Sequence, residues 1–169
     1  MTIWAPQPPI ATREVAAATL PIDLSTSTYR TMLRLVVPAA AGDVLDITAW
    51  ARVTNDTGKD RNDPGYTVGV GWHLWAYDCD SGQGSAGPWW RISPSNGDNV
   101  TRVRHHMPMA ISTVYAVPDD WPTGHRIVVV LRADAHSTAW VEGDTLTVDR
   151  AYGELIVRPW TRQTTTQEG

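Results

Sequence analysis

Apolar and polar residues alternate along most of this chain with a period of two. Between residues 29 and 37 the odd positions Leu33, Leu35 and Val37 are apolar, and the even positions include two arginines. The same alternation returns over residues 45–53. A period of two is typical of β-strands that bury one face and expose the other. These segments therefore predict antiparallel sheets and not amphipathic helices.

Turn-forming residues separate the alternating segments. A polar loop at 55–65 and a glycine-rich loop at 81–88 divide the middle of the chain. An Asn-Gly step at 96–97 predicts a hairpin between strands at 89–93 and 99–104. Eight or nine strands at this spacing predict an all-β fold, a single antiparallel β-sandwich of the jelly-roll type.

The predicted sandwich covers residues 29–160, and the two ends differ from it in composition. Residues 1–28 contain Pro6, Pro8 and Pro9, which favour an extended N-terminal arm. Residues 161–169 have no apolar content and predict a short disordered C-terminal tail.

Composition excludes several classes of function. The net charge is −4, which argues against nucleic acid, because Lys and Arg supply most of the affinity for phosphate. The single cysteine, Cys79, excludes an internal disulfide framework. Residues 1–25 show no secretory signal pattern, and an apolar run such as Ile127–Leu131 fits a strand buried on both faces and is too short for a bilayer. We therefore expect a soluble protein that folds in a cytoplasm, with no membrane partner.

No motif in the chain predicts catalysis. It has neither a Gly-x-Ser-x-Gly nucleophile elbow nor a glycine-rich phosphate loop. We expect no enzymatic activity and no cofactor. A glycosidase is the alternative enzyme, with Asp78 and Asp80, or Asp119 and Asp120, as the paired carboxylates.

One loop offers oxygen ligands of the kind that Ca²⁺ prefers. Asp56, Asp60 and Asp63 are its candidate ligands, but their spacing is not that of an EF-hand, and the terminal bidentate Glu is missing. A solvated loop without metal is the preferred interpretation.

Nine tryptophans in 169 residues indicate a binding surface. Strand alternation points Trp72 into the core, whereas Trp75 and Tyr77 point away from it. Trp50 likewise lies opposite the apolar positions of its strand. An outer aromatic patch marks a protein interface or a platform for sugar rings, unless loops cover it.

The N-terminal arm adds a second binding feature. Ile3 and Trp4 precede its prolines and are too apolar for a free tail. Such an arm clasps a neighbouring subunit, with Trp4 as the anchor, or it packs back on its own domain.

Two stretches, Met32–Val53 and Asp144–Trp160, resemble the jelly-roll accessory proteins that tailed phages of actinobacteria carry on their virions. The closing stretch with Tyr152-Gly153 is also similar to the trimeric tumour-necrosis-factor fold. The chain has thirteen Arg and one Lys, and this preference for Arg agrees with a GC-rich host genome.

This resemblance implies a virion structural protein, either a capsid decoration (cement) subunit or a tail accessory subunit. It implies a homo-oligomer, a trimer being one option, assembled in the bacterial host cytoplasm. The partners would be the major capsid protein or the tail proteins of the same virion. The alternative function is a glycan-binding adhesin for attachment to the host surface.

Overall fold

A computed structural model of the protein describes residues 2–12, 19–22, 29–55, 67–101, 106–136 and 146–164. These residues form strands joined by turns, with one short 3-10 helix at Gly84–Ala86. The strands are β1 Thr2–Pro6, β2 Ile10–Thr12, β3 Thr19–Ile22, β4 Arg30–Pro38, β5 Val44–Asn55, β6 Thr67–Asp78, β7 Trp90–Arg91, β8 Asn96–Thr101, β9 His106–Ala116, β10 Arg126–His136 and β11 Leu146–Thr164. No helix in these ranges is long and apolar enough to cross a membrane.

The strands form two antiparallel sheets. The first sheet has the order β1-β11-β5-β9, and β2 and β3 also pair with β11. The second sheet has the order β4-β10-β6-β7, and β8 also pairs with β6. Strands β1 to β3 share one edge of β11, and β7 and β8 share one edge of β6, so each set fills one strand position. In chain order, the first strand position (β1 to β3) therefore lies beside the last (β11), and the second (β4) lies beside the next to last (β10). This pairing is jelly-roll topology. The predicted fold class is confirmed.

The core lies between the two sheets and follows the predicted alternation. The inward positions of β5 are fully buried: Leu45, Ile47, Ala49, Ala51 and Val53. Strand β10 is buried on both faces, because Ile127, Val129 and Leu131 join the core while Val128 and Val130 form a separate buried cluster with Tyr77. Alternation therefore identified the side of β5 that faces the core, and the apolar run Ile127–Leu131 identified a strand buried on both faces.

The predicted hairpin across Asn96-Gly97 is wrong. Strands β7 and β8 both pair with β6, in the registers Trp75↔Arg91 and Trp72↔Asn96. Strand β6 has 12 residues, which is long enough to pair with both strands in succession. Gly97 lies within β8, where an added Cβ would come 2.9 Å from the carbonyl oxygen of Val70. The glycine therefore permits a close backbone approach and does not form a turn.

Both ends of the chain are more regular than their composition suggested. The described parts of the predicted arm, β1 to β3, pair antiparallel with β11 of the same chain. The tail predicted from residue 161 is wrong for 161–164, since Thr164 pairs with Thr2 and extends β11. Backbone pairing with β1 orders this polar segment without any apolar side chain. Residues 165–169 lie outside the described ranges.

Candidate interaction surfaces

The outer face of the first sheet carries an open apolar groove. Its walls are Trp4 of β1, Trp160 of β11, Val44 and Asp46 of β5, and Val114 of β9, and it encloses about 450 Å³. The exposed fractions are 45% for Trp4, 37% for Trp160 and 68% for Val114. We call these five residues the apolar groove. The described residues leave this apolar surface uncovered.

Strand pairing explains why these residues meet. Trp160 lies opposite Val44 and Asp46 lies opposite Val114, so the groove runs across neighbouring strands. Asp46 is also 3.7 Å from the guanidinium of Arg158, which places an exposed ion pair at the groove rim. The groove is therefore apolar at its centre and charged at one edge, which is the usual arrangement of a protein interface.

Of the residues predicted to contact a partner, Trp4 and Trp50 lie on this face. Trp4 lines the groove itself. Ile3 precedes Trp4 in β1 and lies opposite Gln163. Trp50 is half-buried, opposite Glu154 and Ala110, at outward positions farther along β5. Trp160 and Val114, which the sequence analysis did not select, complete the groove.

The outer face of the second sheet carries a different surface, centred on Arg132 of β10. The guanidinium carbon of Arg132 lies 5.0 Å from the ring centroid of Tyr29, 5.5 Å from that of Trp75 and 4.9 Å from that of Trp89. These distances are within the range of cation–π attraction. We call these four residues the arginine–aromatic cluster.

Tyr77 lies on this outer face, as predicted, but it is not available for contact. Its side chain is only 2% exposed, because the Trp89 ring packs on it at 4.6 Å between centroids. Trp89 is itself held by a hydrogen bond from its Nε1 to the Ser85 carbonyl oxygen, 2.8 Å long. Burial raises the pKa of Tyr77, and the nearby Arg34 guanidinium opposes that shift. The choice of Tyr77 as a contact residue is therefore corrected: the segment after β6 covers it. Trp75 beside it is half-buried.

A histidine and a carboxylate pair beneath the cluster. His73 Nε2 and Asp134 Oδ1 are 2.6 Å apart, and His73 is 5% exposed. Asp134 lies opposite Gly71 in β6, where an added Cβ would collide with the Asp134 carboxylate. The glycine therefore leaves the space in which the two side chains meet.

The carboxylates considered for glycosidase chemistry either form ion pairs or are exposed to solvent. Asp80 accepts two hydrogen bonds from the Arg126 side chain, of 2.7 and 3.0 Å, and these bonds lower its pKa to about 2. Asp78 is 2.8 Å from His125 Nδ1, and the exposed Asp119 is 3.6 Å from Arg162. A glycosidase acid needs a raised pKa, so Asp80 is shifted in the wrong direction.

The candidate Ca²⁺ ligands Asp56, Asp60 and Asp63 lie outside the described residues. Among the residues that are described, no group of three or more His, Cys, Asp or Glu side chains is placed to hold a metal ion.

An aromatic cleft lies at one end of the sandwich. Trp90, Tyr115 and Trp121 line it together with Asp120 and two prolines, and it encloses about 480 Å³. Trp90 Nε1 donates to the Tyr115 hydroxyl at 3.0 Å, and the rings of Trp90 and Trp121 meet edge to face at 5.9 Å.

Comparison with known proteins shows the fold of this chain. No protein-family model matches it, and no curated protein matches it. A chain from a structure of infectious bursal disease virus, Gx strain, aligns with a TM-score of 0.50 and 13% identity over 94% of this chain and 37% of that one. The fold that the two chains share is an antiparallel β-sandwich.

Further alignments are to the same virus. Chains from its Gt strain and from its VP2 subviral particle align with TM-scores of 0.49 and 12% identity, over 95% of this chain and 38% of theirs. This chain spans a little over a third of the length of the viral chains that it matches. None of these three structures is from a tailed phage, so the resemblance to phage accessory proteins stays a prediction.

Proposed function

We propose that this protein is a structural subunit of a virion, either a capsid decoration (cement) protein or a tail accessory protein. Two observations support the proposal: the capsid-type jelly roll and the apolar groove on its outer face. The groove is the observation that carries it, because solvent-exposed tryptophans on adjacent strands are a common mark of an interface. The partners would be the major capsid protein or the tail proteins of the same particle, and self-association is part of the proposal.

The groove supplies the binding free energy in this proposal. A tryptophan buries at most about 250 Å², so Trp4, which is 45% exposed, still has about 110 Å² to bury. At about 25 cal/mol per Å² this corresponds to about 3 kcal/mol, an upper limit because binding also orders side chains. The Asp46–Arg158 pair at the rim would orient the partner more than it would strengthen binding.

We further propose that the protein is not an enzyme. Of the carboxylates nominated for hydrolysis, Asp80 is bound to Arg126 and Asp78 to His125. This chemistry suits a structural role, in which ion pairs fix turns at the end of the sandwich.

Glycan binding is the second candidate function, and the aromatic cleft favours it. Trp90, Tyr115 and Trp121 provide rings on which a sugar could stack, and the Asp120 carboxylate could accept hydrogen bonds from hydroxyl groups. The cleft volume of about 480 Å³ is within the range of small-ligand sites.

The test compares point variants in two assays. Deleting the arm is unsuitable, since β1 to β3 pair along β11 and their loss would expose its edge. Wild type, Trp4→Ala and Tyr152→Ala are instead sedimented with purified particles. Tyr152, which is 47% exposed and packs under Arg52 outside the groove, is the matched control.

We expect Trp4→Ala to bind particles about 10- to 100-fold more weakly than wild type, and Tyr152→Ala to bind like wild type. Equal binding by all three proteins would exclude the groove. A chain that ignores particles but binds a glycan array, and loses that binding in Trp90→Ala, would replace the virion proposal with the second candidate.

A further inference from the structure

The second sheet concentrates positive charge on its outer face. Trp75 of β6 lies opposite Arg91 of β7 on one side and Val130 of β10 on the other, and Val130 lies opposite Arg34 of β4. With strands about 4.8 Å apart, Arg34 and Arg91 stand at the two ends of one row across the sheet. Arg132 stands in the next row, so three arginines share one face of the sheet.

None of the three arginines forms an ion pair with a carboxylate in the part of the chain that is described. Asp134, the acid on the outer side of β10, is bonded to His73. The whole chain has a net charge of −4, so this positive face reflects local placement and not a general excess of arginine.

The environment of Arg132 is unfavourable for a charged guanidinium. Its Nε is buried without a hydrogen-bond partner, and Nη2 has only a 3.4 Å contact with the Tyr29 carbonyl oxygen. Burial lowers the pKa of the Arg132 guanidinium. Cation–π attraction to the aromatic rings offsets part of the hydration free energy that the guanidinium loses on burial. Because no carboxylate of the described residues binds it, the guanidinium can still donate charge-assisted hydrogen bonds.

Further buried polar atoms without a partner lie at the same place. The described residues have four buried side-chain polar atoms without a partner, and three of them belong to His73, Trp75 and Arg132. Buried unpaired polar groups are uncommon in native proteins and call for a specific explanation. Here they lie beneath a positive, aromatic surface.

We propose that this face docks an acidic protein segment, with a carboxylate bound to Arg132 and further acidic side chains facing Arg34 and Arg91. The rings hold the Arg132 guanidinium in one orientation before binding, so less side-chain entropy is lost on contact. Tyr, Trp and Arg are also the residues most enriched at the centres of protein interfaces.

This inference rests on the proposed function and adds a second binding surface to the subunit. The apolar groove lies on the outer face of one sheet and the arginine face on the outer face of the other. A subunit with both could bridge two neighbours, and two weak contacts would combine through multivalency. The arginine face has its own test, which needs no particle.

The test is a binding titration of the full-length protein with a fluorescent oligo-glutamate peptide, and with a heparin fragment in parallel. We expect the peptide to bind and its affinity to fall between about 50 and about 200 mM salt, because the Debye length shortens. Arg132→Ala should weaken binding about 10- to 100-fold. Arg162→Ala, which removes an exposed arginine on the opposite sheet, is the control and should leave binding unchanged.

A second variant keeps the test valid if Arg132→Ala disturbs the fold. Arg34 is exposed and is not part of the arginine–aromatic cluster, and Arg34→Ala should weaken peptide binding severalfold. Absence of peptide binding, or equal losses in Arg162→Ala and Arg132→Ala, would overturn the inference. Binding of heparin but not of the peptide would overturn it in favour of an anionic glycan. Particle sedimentation is a separate readout, so failure here leaves the proposed function standing.

Discussion

Replacing Trp89 by alanine tests whether this residue hides an aromatic face that would otherwise be open. Trp89 packs on Tyr77 at 4.6 Å and lies 4.9 Å from the Arg132 guanidinium carbon. The aromatic pair contributes about 0.5–1.5 kcal/mol and the cation–π contact about 0.5–1 kcal/mol. Loss of about 100 Å² of buried surface would by itself amount to about 2.5 kcal/mol. Because these contributions overlap, we expect the free energy of unfolding to fall by about 3 kcal/mol.

Two assays measure the effect. Urea unfolding gives the change in stability, with Tyr152→Ala as a control that should lose less than about 1 kcal/mol. Absorbance titration reports the tyrosine hydroxyls, and the Tyr77→Phe variant identifies the contribution of Tyr77. Since burial raises the pKa of Tyr77, exposure in Trp89→Ala should move it back down. Unchanged stability together with an unchanged Tyr77 titration would refute the assignment of Trp89 as its cover.

Three further variants test other parts of the structure. Leu131→Ala, at a core position that is 1% exposed, should cost about 2–5 kcal/mol in urea unfolding. Gly97→Ala should cost about 1–3 kcal/mol, because its Cβ would meet the Val70 carbonyl oxygen at 2.9 Å; a neutral result would contradict the close strand approach. Asp80, whose pKa is lowered from 3.8 to about 2, stabilises the fold above its unfolded pKa and stops doing so as the pH falls through about 2. At about pH 5 and above, Asp80→Asn should therefore have a lower melting temperature than wild type. The difference between the two melting temperatures should disappear near pH 2, where Asp80 becomes protonated. A difference that does not change with pH would contradict the ion pair with Arg126.

The sandwich was predictable because alternation records burial directly. The inward positions of β5, from Leu45 to Val53, and the core position Trp72 are where period-two alternation placed them. A strand that buries one face must carry its apolar residues at every second position. This signal is local and needs no knowledge of which strands pair.

Strand pairing was not predictable in the same way. The Asn96-Gly97 step carries the local signature of a hairpin turn, yet β8 pairs with β6. The pairing of residues 161–164 with β1 depends on residues about 160 positions earlier in the chain. Long-range backbone hydrogen bonds have no local side-chain signature, so neither result could be derived from the segments themselves.

The same difference between local and long-range signals applies to the candidate surfaces. The sequence showed that Trp4 is too apolar for a free arm, but the groove also needs Trp160 and Val114, which come from distant strands. Tyr77 was assigned the correct face and the wrong exposure, because the cover comes from Trp89 in a loop. Which face a side chain takes is a property of its strand, whereas exposure depends on what packs above it.

Quantitative mass spectrometry of purified particles from the source would show whether this protein is a virion component. We expect this chain to copurify with the particles at a fixed ratio to the major capsid protein. A high ratio would identify a decoration protein, and a low fixed ratio would identify a tail subunit. Absence of the chain from particles that contain the other structural proteins would contradict the proposal that it is a virion component.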